Sequence, residues 1–242
     1  MSTLIRLKIA SNVDVNIDGM YGEQITSIVV KVKNVAFSKD VRAAYNSGGA
    51  AWQQIVLGYL GHYGNYDLFG NPDGPFFVGQ LVVSCTQAGV TDYDNDGGKN
   101  YFVGDNRGVA GGNVVLNQAV AHQGLEAGGG FTFQTSWIEG SIYVNNLSYA
   151  KRVGIRYTAN NWATWQDVDA TYGGPAASEY NPALPGDAEQ WNFKTPEYNY
   201  DSASDTFQFA IYHQRLDTGD WFWDNNFSQN YQLSKVNGST LL

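Results

Sequence analysis

A pattern of aromatic, acidic and amide residues occurs twice in this 242-residue chain and constrains its fold more than any other feature. Near the C-terminus, residues 221–231 read WFWDNNFSQNY, and upstream residues 92–101 read DYDNDGGKNY. In both runs an aromatic residue precedes Asp-Asn-Asn or Asp-Asn-Asp, and Asn-Tyr follows four residues later. A pattern repeated at a long interval in one chain predicts a duplicated structural module.

Two further matches fall in the same order along the chain and support the duplication. Residues 34–41 (NVAFSKDV) align with residues 146–153 (NLSYAKRV). Between these runs and the terminal motifs, Trp52–Tyr59 matches Trp165–Tyr172 in spacing. Three ordered matches are stronger than one, and they predict tandem repeats.

The break between the repeats is predicted at residues 104–112 (GDNRGVAGG), a polar and Gly-rich segment without periodicity. This prediction gives a first module at 1–103, a linker at 104–112 and a second module at 113–242. The second module carries a longer insert at 173–186 with three prolines, which predicts an irregular surface loop.

The composition favours strands over helices. The chain has 28 Gly, 16 Tyr and 7 Trp, as expected for short strands joined by Gly- and Asn-rich turns. Short alternating runs such as residues 28–33 (IVVKVK), separated by turn signals, predict an antiparallel β-sandwich. With 43% hydrophobic and 15% charged residues, the chain can bury a core. The predicted fold class is therefore all-β.

Charge and hydropathy exclude several partners. The formal net charge is −9 and the 14 basic residues are scattered, so neither nucleic acid nor an anionic membrane is an expected partner. No stretch approaches the ~20 apolar residues of a membrane span. Residues 1–10 alternate like a first strand rather than a secretory signal, which predicts a cytoplasmic protein, or an extracellular one if the chain is a fragment of a secreted protein. The single Cys85 predicts a buried strand residue and excludes an intrachain disulfide.

Residues 141–153 (SIYVNNLSYAKRV) of the second half resemble carbohydrate-binding module family 21. This family comprises starch-binding modules of fungal glucoamylases and glycogen-binding domains of phosphatase-targeting subunits. The resemblance continues through residues 161–162, 190–193, 207–211, 223–226 and 230–231. The first half matches less fully, because it has no equivalent of Asn161-Trp162. The resemblance implies tandem immunoglobulin-like β-sandwich modules that bind α-1,4-glucan (starch or glycogen type) without catalysis.

The resemblance also implies which residues touch the sugar. One site of the second module would use Trp162, Trp223, Asn225 and Asn226, and a second site would use Tyr149 and Tyr172, with Tyr180 as a candidate third aromatic residue. In the first module, Phe37, Tyr59, Tyr93 and Asn95 match in position, with Trp52 as a substitute platform. Ala210 stands where the family often has another aromatic residue, which predicts a smaller platform at the first of these sites.

These residue types suit a sugar ligand. The apolar face of a pyranose ring packs on a flat aromatic ring, and Asn offers both hydrogen-bond donors and an acceptor to the hydroxyl groups. Trp162 and Trp223 are flanked by polar residues or small ones, which favours ligand contact, whereas Trp165 and Trp221 fit ligand contact and core equally. Five other aromatic residues are predicted to fill the core: Trp191, Phe193, Phe207, Phe209 and Tyr231.

Metal binding and catalysis are not expected. Residues 92–97 imitate the first half of a calcium loop, but Val103 stands at the twelfth position, where a bidentate Glu is needed. The three histidines lie in unrelated contexts, and no nucleophile, zinc or phosphate-loop motif occurs. A carboxylate pair such as Glu179 and Asp187 is a weak basis for a glycosidase. We therefore predict no enzyme activity, no cofactor and no metal site.

Two other functions stay open. One is a lectin that recognises a different glycan, and the other is a scaffold that recruits a phosphatase or another enzyme to glycogen. Residues 33–37 (KNVAF) fit the basic-x-Val-x-Phe pattern of phosphatase-docking peptides. Because such peptides dock as added strands from exposed segments, and residues 33–37 are predicted to lie inside a strand, docking is disfavoured. The oligomeric state cannot be read from the sequence.

Overall fold

The computed structural model describes residues 4–17, 21–176, 183–199 and 204–242. Tyr180 and Glu179 lie outside these residues. The described part contains β-strands and two single-turn 3-10 helices, η1 (Asp96–Gly98) and η2 (Gly111–Asn113), and no α-helix. The prediction of an all-β fold with antiparallel sheets is confirmed.

The chain divides into two compact units. The first unit comprises Met1–Asn113, Asn145–Leu147 and Gly174–Glu189; the second comprises Val114–Val144, Ser148–Gly173 and Gln190–Leu242. The short segments 145–147 and 174–189 thus belong to the first unit although they lie late in the chain.

The first unit has two antiparallel sheets. Its strands are β1 (Ile5–Ile17), β2 (Tyr21–Lys33), β3 (Lys39–Ser47), β4 (Gln53–Val56), β5 (Gly58–Tyr63), β6 (Tyr66–Pro75), β7 (Gly79–Gln87), β8 (Val90–Asp94), β9 (Tyr101–Val103) and β10 (Gly108–Ala110). One sheet has the order β10-β1-β2-β6-β5. The other has the order β4-β3-β7-β8, and β9 also pairs with β7.

One apolar core joins these two sheets. Alternate residues of β3 and β7 are buried, as the period of two of a strand requires. They pack in one cluster with buried residues of β1 and β2, including Leu7 and Val30. Cys85 belongs to this cluster, as predicted. The first unit is therefore a two-layer sandwich.

The remaining strands lie in the second unit, apart from residues 145, 174–175 and 188–189 at the ends of three of them. They are β11 (Val114–Gly128), β12 (Phe131–Asn145), β13 (Lys151–Thr158), β14 (Gln166–Asp169), β15 (Thr171–Pro175), β16 (Ala188–Lys194), β17 (Tyr198–Asn199), β18 (Thr206–Arg215), β19 (Trp221–Asp224), β20 (Tyr231–Ser234) and β21 (Thr240–Leu241). One sheet, the β11–β12 sheet, has the order β15-β16-β12-β11-β21, with β17 on β12. The other, the β13–β18 sheet, has the order β14-β13-β18-β19, with β20 on β18.

Strand for strand, the two units have the same order. The succession β4-β3-β7-β8 corresponds to β14-β13-β18-β19, and β10-β1-β2-β6-β5 corresponds to β21-β11-β12-β16-β15. A bulge interrupts the first hairpin of each unit at matching places, between Leu7 and Ile9 and between Leu116 and Gln118.

Part of the segment predicted as a linker belongs to a sheet. Residues 108–110 form β10 and pair with β1, and the Asn12 N–H donates to the Arg107 carbonyl oxygen at 2.9 Å. The module boundary at residues 104–112 stays a prediction.

The predicted core aromatics are nearly all buried. Phe193, Phe207, Phe209 and Tyr231 are at most 4% exposed, which confirms this prediction for them. Trp191 is half-buried and meets Tyr172 edge-on, with ring centroids 5.7 Å apart.

Candidate carbohydrate-binding surface

The loop after β19 is folded by its own polar side chains. Asp224 is fully buried, and its Oδ2 accepts hydrogen bonds from the Tyr231 hydroxyl and from the Leu116 N–H. The Oδ1 of Asn225 accepts from the Ser228 N–H at 3.1 Å, while the Asn225 carbonyl oxygen accepts from the Asn230 N–H at 2.8 Å. The motif Asp-Asn…Asn-Tyr therefore specifies a loop shape.

This loop turns through the left-handed region of backbone conformation. The φ angles are 52° at Asn226, 56° at Phe227, 69° at Ser228 and 56° at Asn230. Asn tolerates this region, whereas a bulky residue such as Phe227 adopts it only where surrounding bonds hold it there. The side chains of Asp224 and Asn225 supply those bonds.

The structure places the two predicted amide ligands differently. Asn226 is only 2% exposed; its N–H donates to Asp224 Oδ1 at 3.1 Å, and its Nδ2 donates to the Asn230 carbonyl oxygen at 3.2 Å. It lies inside the loop. Asn225 is half-buried, and its oxygen already accepts from the loop backbone. Both amides thus hold the loop, and Asn225 is the more accessible of them.

The first unit contains the same loop after β8. Asp94 Oδ2 accepts from the Leu7 N–H at 2.8 Å and from the Tyr101 hydroxyl at 2.9 Å. Asn95 Oδ1 accepts from the Gly98 N–H at 3.1 Å, and its carbonyl oxygen accepts from the Asn100 N–H at 2.9 Å. Burial raises the pKa of Asp94 above its ordinary value, although these N–H and O–H bonds oppose the shift. The Asn95 side chain, like that of Asn225, therefore stabilises the backbone of its loop.

The resemblance of residues 92–97 to a calcium loop has a structural explanation. Asp92 Oδ2 accepts from the Leu4 N–H at 2.9 Å, and Asp94 is buried as described. Among the described residues, no group of three His, Cys, Asp or Glu side chains is placed to hold a metal ion.

Above the loop of the second unit, β19 presents two tryptophans to the outer face of the β13–β18 sheet. The rings of Trp221 and Trp223 are nearly parallel, at 12°, with centroids 5.7 Å apart. The Tyr212 ring centroid lies 5.6 Å from that of Trp221 and 5.5 Å from that of Trp223. We call these three side chains, with Trp165 and Arg156, the aromatic surface. Trp221 is 42% exposed and Trp165 is 54% exposed, so their rings are open to solvent.

Arg156 ties Trp165 to this group. Its guanidinium lies 4.1 Å from the centroid of the Trp165 ring and 5.3 Å from that of Trp223. Two hydrogen bonds to Asp167, at 2.8 and 3.0 Å, fix the guanidinium and raise its pKa. The bidentate pair thus fixes the Arg156 guanidinium between the Trp165 and Trp223 rings.

A glycine makes room for Tyr212. Gly154 pairs with Tyr212 across β13 and β18, and a Cβ atom at Gly154 would lie 2.6 Å from the Tyr212 hydroxyl oxygen and 2.2 Å from the Val168 carbonyl oxygen. The phenol passes over this position to donate to Asp169 Oδ1 at 2.6 Å. At the matching place in the first unit, Arg42 pairs with Ser84, and no aromatic side chain takes the place of Tyr212 there.

Trp162 lies at the other end of the same sheet face. Its indole Nε1 donates to Gln208 Oε1 at 2.8 Å, and its backbone has a φ of 66°. Gln208 and Tyr212 are four residues apart on β18, which separates them by roughly 13 Å. Between them Ala210 is 6% exposed. The sheet therefore carries Trp162 and Trp223 on one face, with the alanine between them.

The other predicted residues are exposed. Tyr149 is fully exposed in the loop before β13, and Tyr172 on β15 is 53% exposed. In the first unit Phe37 is fully exposed, Tyr59 packs edge-on against Phe69 at 5.6 Å, and Tyr93 and Trp52 are more than two-fifths exposed.

Sequence reasoning missed Tyr212, Arg156 and Gly154. A signal was available in the alternation of Trp221 and Trp223, which places both rings on one face of a strand. Their partners come from β13 and β18, and the pairing between these strands is visible only in the structure.

The docking-like motif lies in a loop, so its placement inside a strand was wrong. β2 ends at Lys33 and β3 begins at Lys39. Val35 is 56% exposed. Gln87 Oε1 accepts from the N–H groups of Val35 and Ala36 at 3.3 and 3.2 Å, so the side chain of a neighbouring strand holds this loop.

An antiparallel sheet that displays exposed indole rings beside amide and charged groups has the chemistry that a sugar ligand requires, as found in carbohydrate-binding modules. Residues 120–234 match the family model of the carbohydrate/starch-binding module (family 21). The match covers just under half of the chain. The resemblance of the second half to this family is confirmed for these residues.

Curated relatives include regulatory proteins. Protein phosphatase 1 regulatory subunit 3E of Mus musculus is 34% identical over 96 residues, 40% of this chain and 30% of the relative. Subunit 3C of Rattus norvegicus is 30% identical over 106 residues, 43% of this chain and 31% of the relative. GLC7-interacting protein 2 of Saccharomyces cerevisiae is 30% identical over 105 residues, 42% of this chain and 18% of the relative. The chain spans about a third or less of these relatives.

Two solved structures are also similar. The starch-binding domain of Rhizopus oryzae glucoamylase, in complex with β-cyclodextrin and maltoheptaose, is 25% identical with a TM-score of 0.32, covering 50% of this chain and 92% of that one. The carbohydrate-binding module of the muscle glycogen-targeting subunit of protein phosphatase-1 is 27% identical with a TM-score of 0.31, covering 48% of this chain and 76% of that one.

Among the described residues, no helix is long and apolar enough to cross a membrane.

Proposed function

We propose that this protein binds α-1,4-glucan of the starch or glycogen type without catalysis, through the aromatic surface of the second unit. The observation that carries this proposal is the parallel pair Trp221 and Trp223, backed by Tyr212, within the segment that matches family 21. Flat rings fixed before binding lose little entropy when a sugar ring packs on them.

The proposed contacts at this site have distinct roles. Trp223 and Trp162 stack on sugar rings, Asn225 bonds to hydroxyl groups, and Asn226 positions the loop from inside. Trp221 and Trp165 extend the surface and compensate for the alanine at position 210. The extending role is supported by the exposure of the Trp221 and Trp165 side chains and by the burial of Ala210.

We further propose that the two units are tandem immunoglobulin-like copies and that each carries glucan contacts. The shared strand order and the shared loop at residues 94–101 and 224–231 support duplication. In the second unit the additional site uses Tyr149 and Tyr172. In the first unit the contacts are Phe37, Tyr59 and Tyr93, with Asn95 in the role of Asn225.

Co-sedimentation of the full chain with insoluble starch tests the main proposal. The protein should sediment with starch, and Trp223→Ala should remove most of the binding because the ring that stacks on sugar is lost. Phe102→Ala is the matched control, since Phe102 is 63% exposed on β9 and lies outside every proposed site. Sedimentation of Trp223→Ala at the level of the unaltered chain would refute the assignment.

A scaffold that brings a phosphatase to glycogen is the second candidate. It is favoured by the exposure of Val35 and Phe37 in the motif KNVAF, and by the names of the relatives. The purified catalytic subunit of protein phosphatase 1 should then bind the chain, and Val35→Ala should abolish binding while Tyr149→Ala leaves it intact. No binding by the unaltered chain removes this candidate.

A lectin for another glycan is the remaining alternative. A glycan array separates it from the main proposal, because an α-glucan binder should give its strongest signals with maltooligosaccharides. A cytoplasmic location stays a prediction.

A further inference from the structure

An open groove of about 710 Å³ lies in the second unit, outside the aromatic surface. Its floor is the outer face of the β11–β12 sheet, where alternate side chains of three neighbouring strands point away from the core. The polar residues that line it on these three strands are Gln118, His122, Glu139, Ser141, Asn192 and Lys194. The volume is in the range of about 300–1,000 Å³ that is typical of ligand sites.

The lining is rich in groups that bond to hydroxyls. Ser141 Oγ accepts from Asn117 Nδ2 at 2.9 Å, and Asn192 Oδ1 accepts from Gln190 Nε2 at 3.1 Å. These bonds leave the Ser141 hydroxyl hydrogen and the Asn192 amide hydrogens unused, although Ser141 is itself only 3% exposed. Glu139 adds carboxylate acceptors.

Glu139 is held ionised and in place. The Trp137 indole Nε1 donates to Glu139 Oε1 at 3.0 Å, and Lys194 Nζ lies 3.1 Å from the same oxygen. These two contacts lower the pKa of Glu139 below its ordinary value. The carboxylate therefore offers acceptor sites to a ligand across the neutral pH range.

The side of the groove beside Glu139 is formed by side chains that pack on the Trp137 ring. The His122 ring stacks on Trp137 with centroids 5.3 Å apart and 16° between the planes, and Lys194 Nζ lies 5.2 Å from the Trp137 ring centroid. A polar groove with a fixed wall and both signs of charge suits an uncharged polyhydroxylated ligand better than a polyanion.

The groove is connected to the aromatic surface through Asp169. This residue lines the groove, and its carboxylate also accepts from the Tyr212 hydroxyl at 2.6 Å and from Arg152 Nε at 2.7 Å. Asp169 ends β14, and β15 begins two residues later at Thr171, which also lines the groove. A chain that lies on the aromatic surface can thus continue around this edge of the sandwich.

We propose that this groove is a further oligosaccharide-binding surface, in addition to the site at Tyr149 and Tyr172, and that it takes the part of a glucan chain that extends past the aromatic surface around β14. The proposal rests on the proposed function for the class of ligand. Its own basis is the set of hydrogen-bonding groups on the β11–β12 sheet and the exposed carboxylate of Asp169, which lines the groove and accepts from the buried Tyr212 beneath the aromatic surface.

Calorimetric titration of the full chain with maltotriose and maltoheptaose tests it. Asn192→Leu fills the groove with an apolar group, and Glu139→Gln removes the charge while keeping an acceptor for Trp137. Each should weaken maltoheptaose binding by about tenfold, the loss expected for a hydrogen bond to a charged group or a blocked donor. Maltotriose should bind as before, because it is short enough to occupy the aromatic surface alone.

Glu197→Gln is the matched control. The Glu197 Oε1 atom lies 3.9 Å from Lys194 Nζ, but Glu197 does not line the groove. A second readout is the NMR signal of the Trp137 indole N–H, identified with Trp137→Phe, which should shift with maltoheptaose in the unaltered chain. Circular dichroism confirms that each variant is folded.

The outcomes separate the two proposals. If Trp223→Ala abolishes binding while the groove variants bind maltoheptaose normally and the Trp137 signal stays in place, the groove is refuted and the aromatic surface stands. If the unaltered chain binds neither oligosaccharide and does not sediment with starch, both proposals fail. A Trp137 shift with loss of affinity in Asn192→Leu supports the groove.

Discussion

The absence of one side chain at Gly154 lets the aromatic surface form. Tyr212 crosses β13 at this position to reach Asp169, and it then supports the edges of Trp221 and Trp223. A larger residue on β13 would meet both the phenol and the backbone of β14. A residue with no functional group thus controls how the indole rings are held.

We expect Gly154→Ala to reduce the stability of the second unit by about 1–3 kcal/mol, because a methyl group in this space forces neighbouring groups apart. Maltoheptaose affinity should fall together with stability. Gly58→Ala is the control, since its new Cβ would meet only the Gly70 carbonyl oxygen at an ordinary 3.7 Å. Thermal unfolding and calorimetric titration measure both effects; an unchanged affinity in a destabilised Gly154→Ala would show that Tyr212 does not support the rings.

The first unit depends on a buried ion pair. Lys39 Nζ lies 2.7 Å from Asp67 Oδ2, with side chains 3% and 8% exposed. Burial alone would raise the pKa of Asp67, but hydrogen bonds from Lys39 and His62 outweigh it and lower the pKa below its ordinary value. Because the folded pKa is depressed, the pair stabilises the protein above the unfolded pKa, and this contribution is lost as pH falls through the folded value.

Asp67→Asn should therefore cost about 1–3 kcal/mol at neutral pH, because Lys39 loses its counter-charge and keeps only the hydrogen bond from its Nζ to Asn34 Oδ1 at 3.0 Å. Urea unfolding between pH 6 and pH 3 should show a steeper loss of stability for the unaltered chain than for the variant. Asp40→Asn, which breaks the exposed contact with Arg42, should change stability by less than about 1 kcal/mol. Equal pH slopes for the unaltered chain and Asp67→Asn would contradict the role of the pair.

Among the structural elements, the loop at residues 224–231 shows most clearly which features the sequence could predict and which it could not. The motif predicted two equivalent loops, and the bonds of Asp94 and Asp224 are indeed equivalent. The assignment of Asn226 to ligand contact came from the resemblance to family 21, and the residue type could not test it, because Asn suits both sugar hydroxyls and left-handed turns. Only the backbone angles and the burial separate these roles.

Long-range pairing was less predictable than local pattern. The strands and the core aromatics follow from alternation and turn residues, which are local signals. The neighbours of Trp223 come from β13 and β18, so they depend on register between distant segments. The segment that contains Val35 and Phe37 was predicted to lie inside a strand, but it forms a loop whose N–H groups at Val35 and Ala36 donate to the Gln87 side chain of β7. This long-range contact is not visible in the local sequence.

Tyr231→Phe should lower the stability of the second unit by about 1.5–3 kcal/mol, because the buried Asp224 carboxylate loses a hydrogen-bond donor. Tyr101→Phe should have a similar effect through Asp94 in the first unit. Tyr149→Phe is the control and should leave stability unchanged, since Tyr149 is fully exposed. Chemical unfolding checks the three variants; an unaffected Tyr231→Phe would mean that the loop does not need this bond.

On the scale of the whole molecule, two similar units in one chain change how it would bind a polymer. A second contact made by a tethered unit is intramolecular, so weak sites reinforce one another on a long ligand and act separately on a short one. The first unit has fewer aromatic groups on the sheet face that includes Tyr93, where Ser84 stands opposite it. Its expected contribution is therefore one of avidity.

The double variant Phe37→Ala/Tyr59→Ala should weaken binding to soluble starch much more than binding to maltoheptaose. The loss of avidity on the polymer is expected to be on the order of 10²-fold. Val90→Ala/Phe102→Ala, which alters two other exposed apolar residues of the first unit, is the control. Affinity electrophoresis in starch gels and calorimetry with maltoheptaose give the two values, and equal losses on both ligands would contradict a tethered contribution.

The left-handed loop after β8 and β19 has a consequence for how such proteins diversify. Its shape is set by Asp, Asn and Tyr residues that face inward, while the ring just before it, Tyr93 or Trp223, faces outward. In the proposed function the outward ring contacts sugar, Asp224 and Tyr231 only hold the loop, and Asn225 does both. Under the proposed function, a substitution of the outward ring changes the sugar contact while the hydrogen bonds of Asp94 and Asp224 remain, so the two units can differ in sugar preference by one residue.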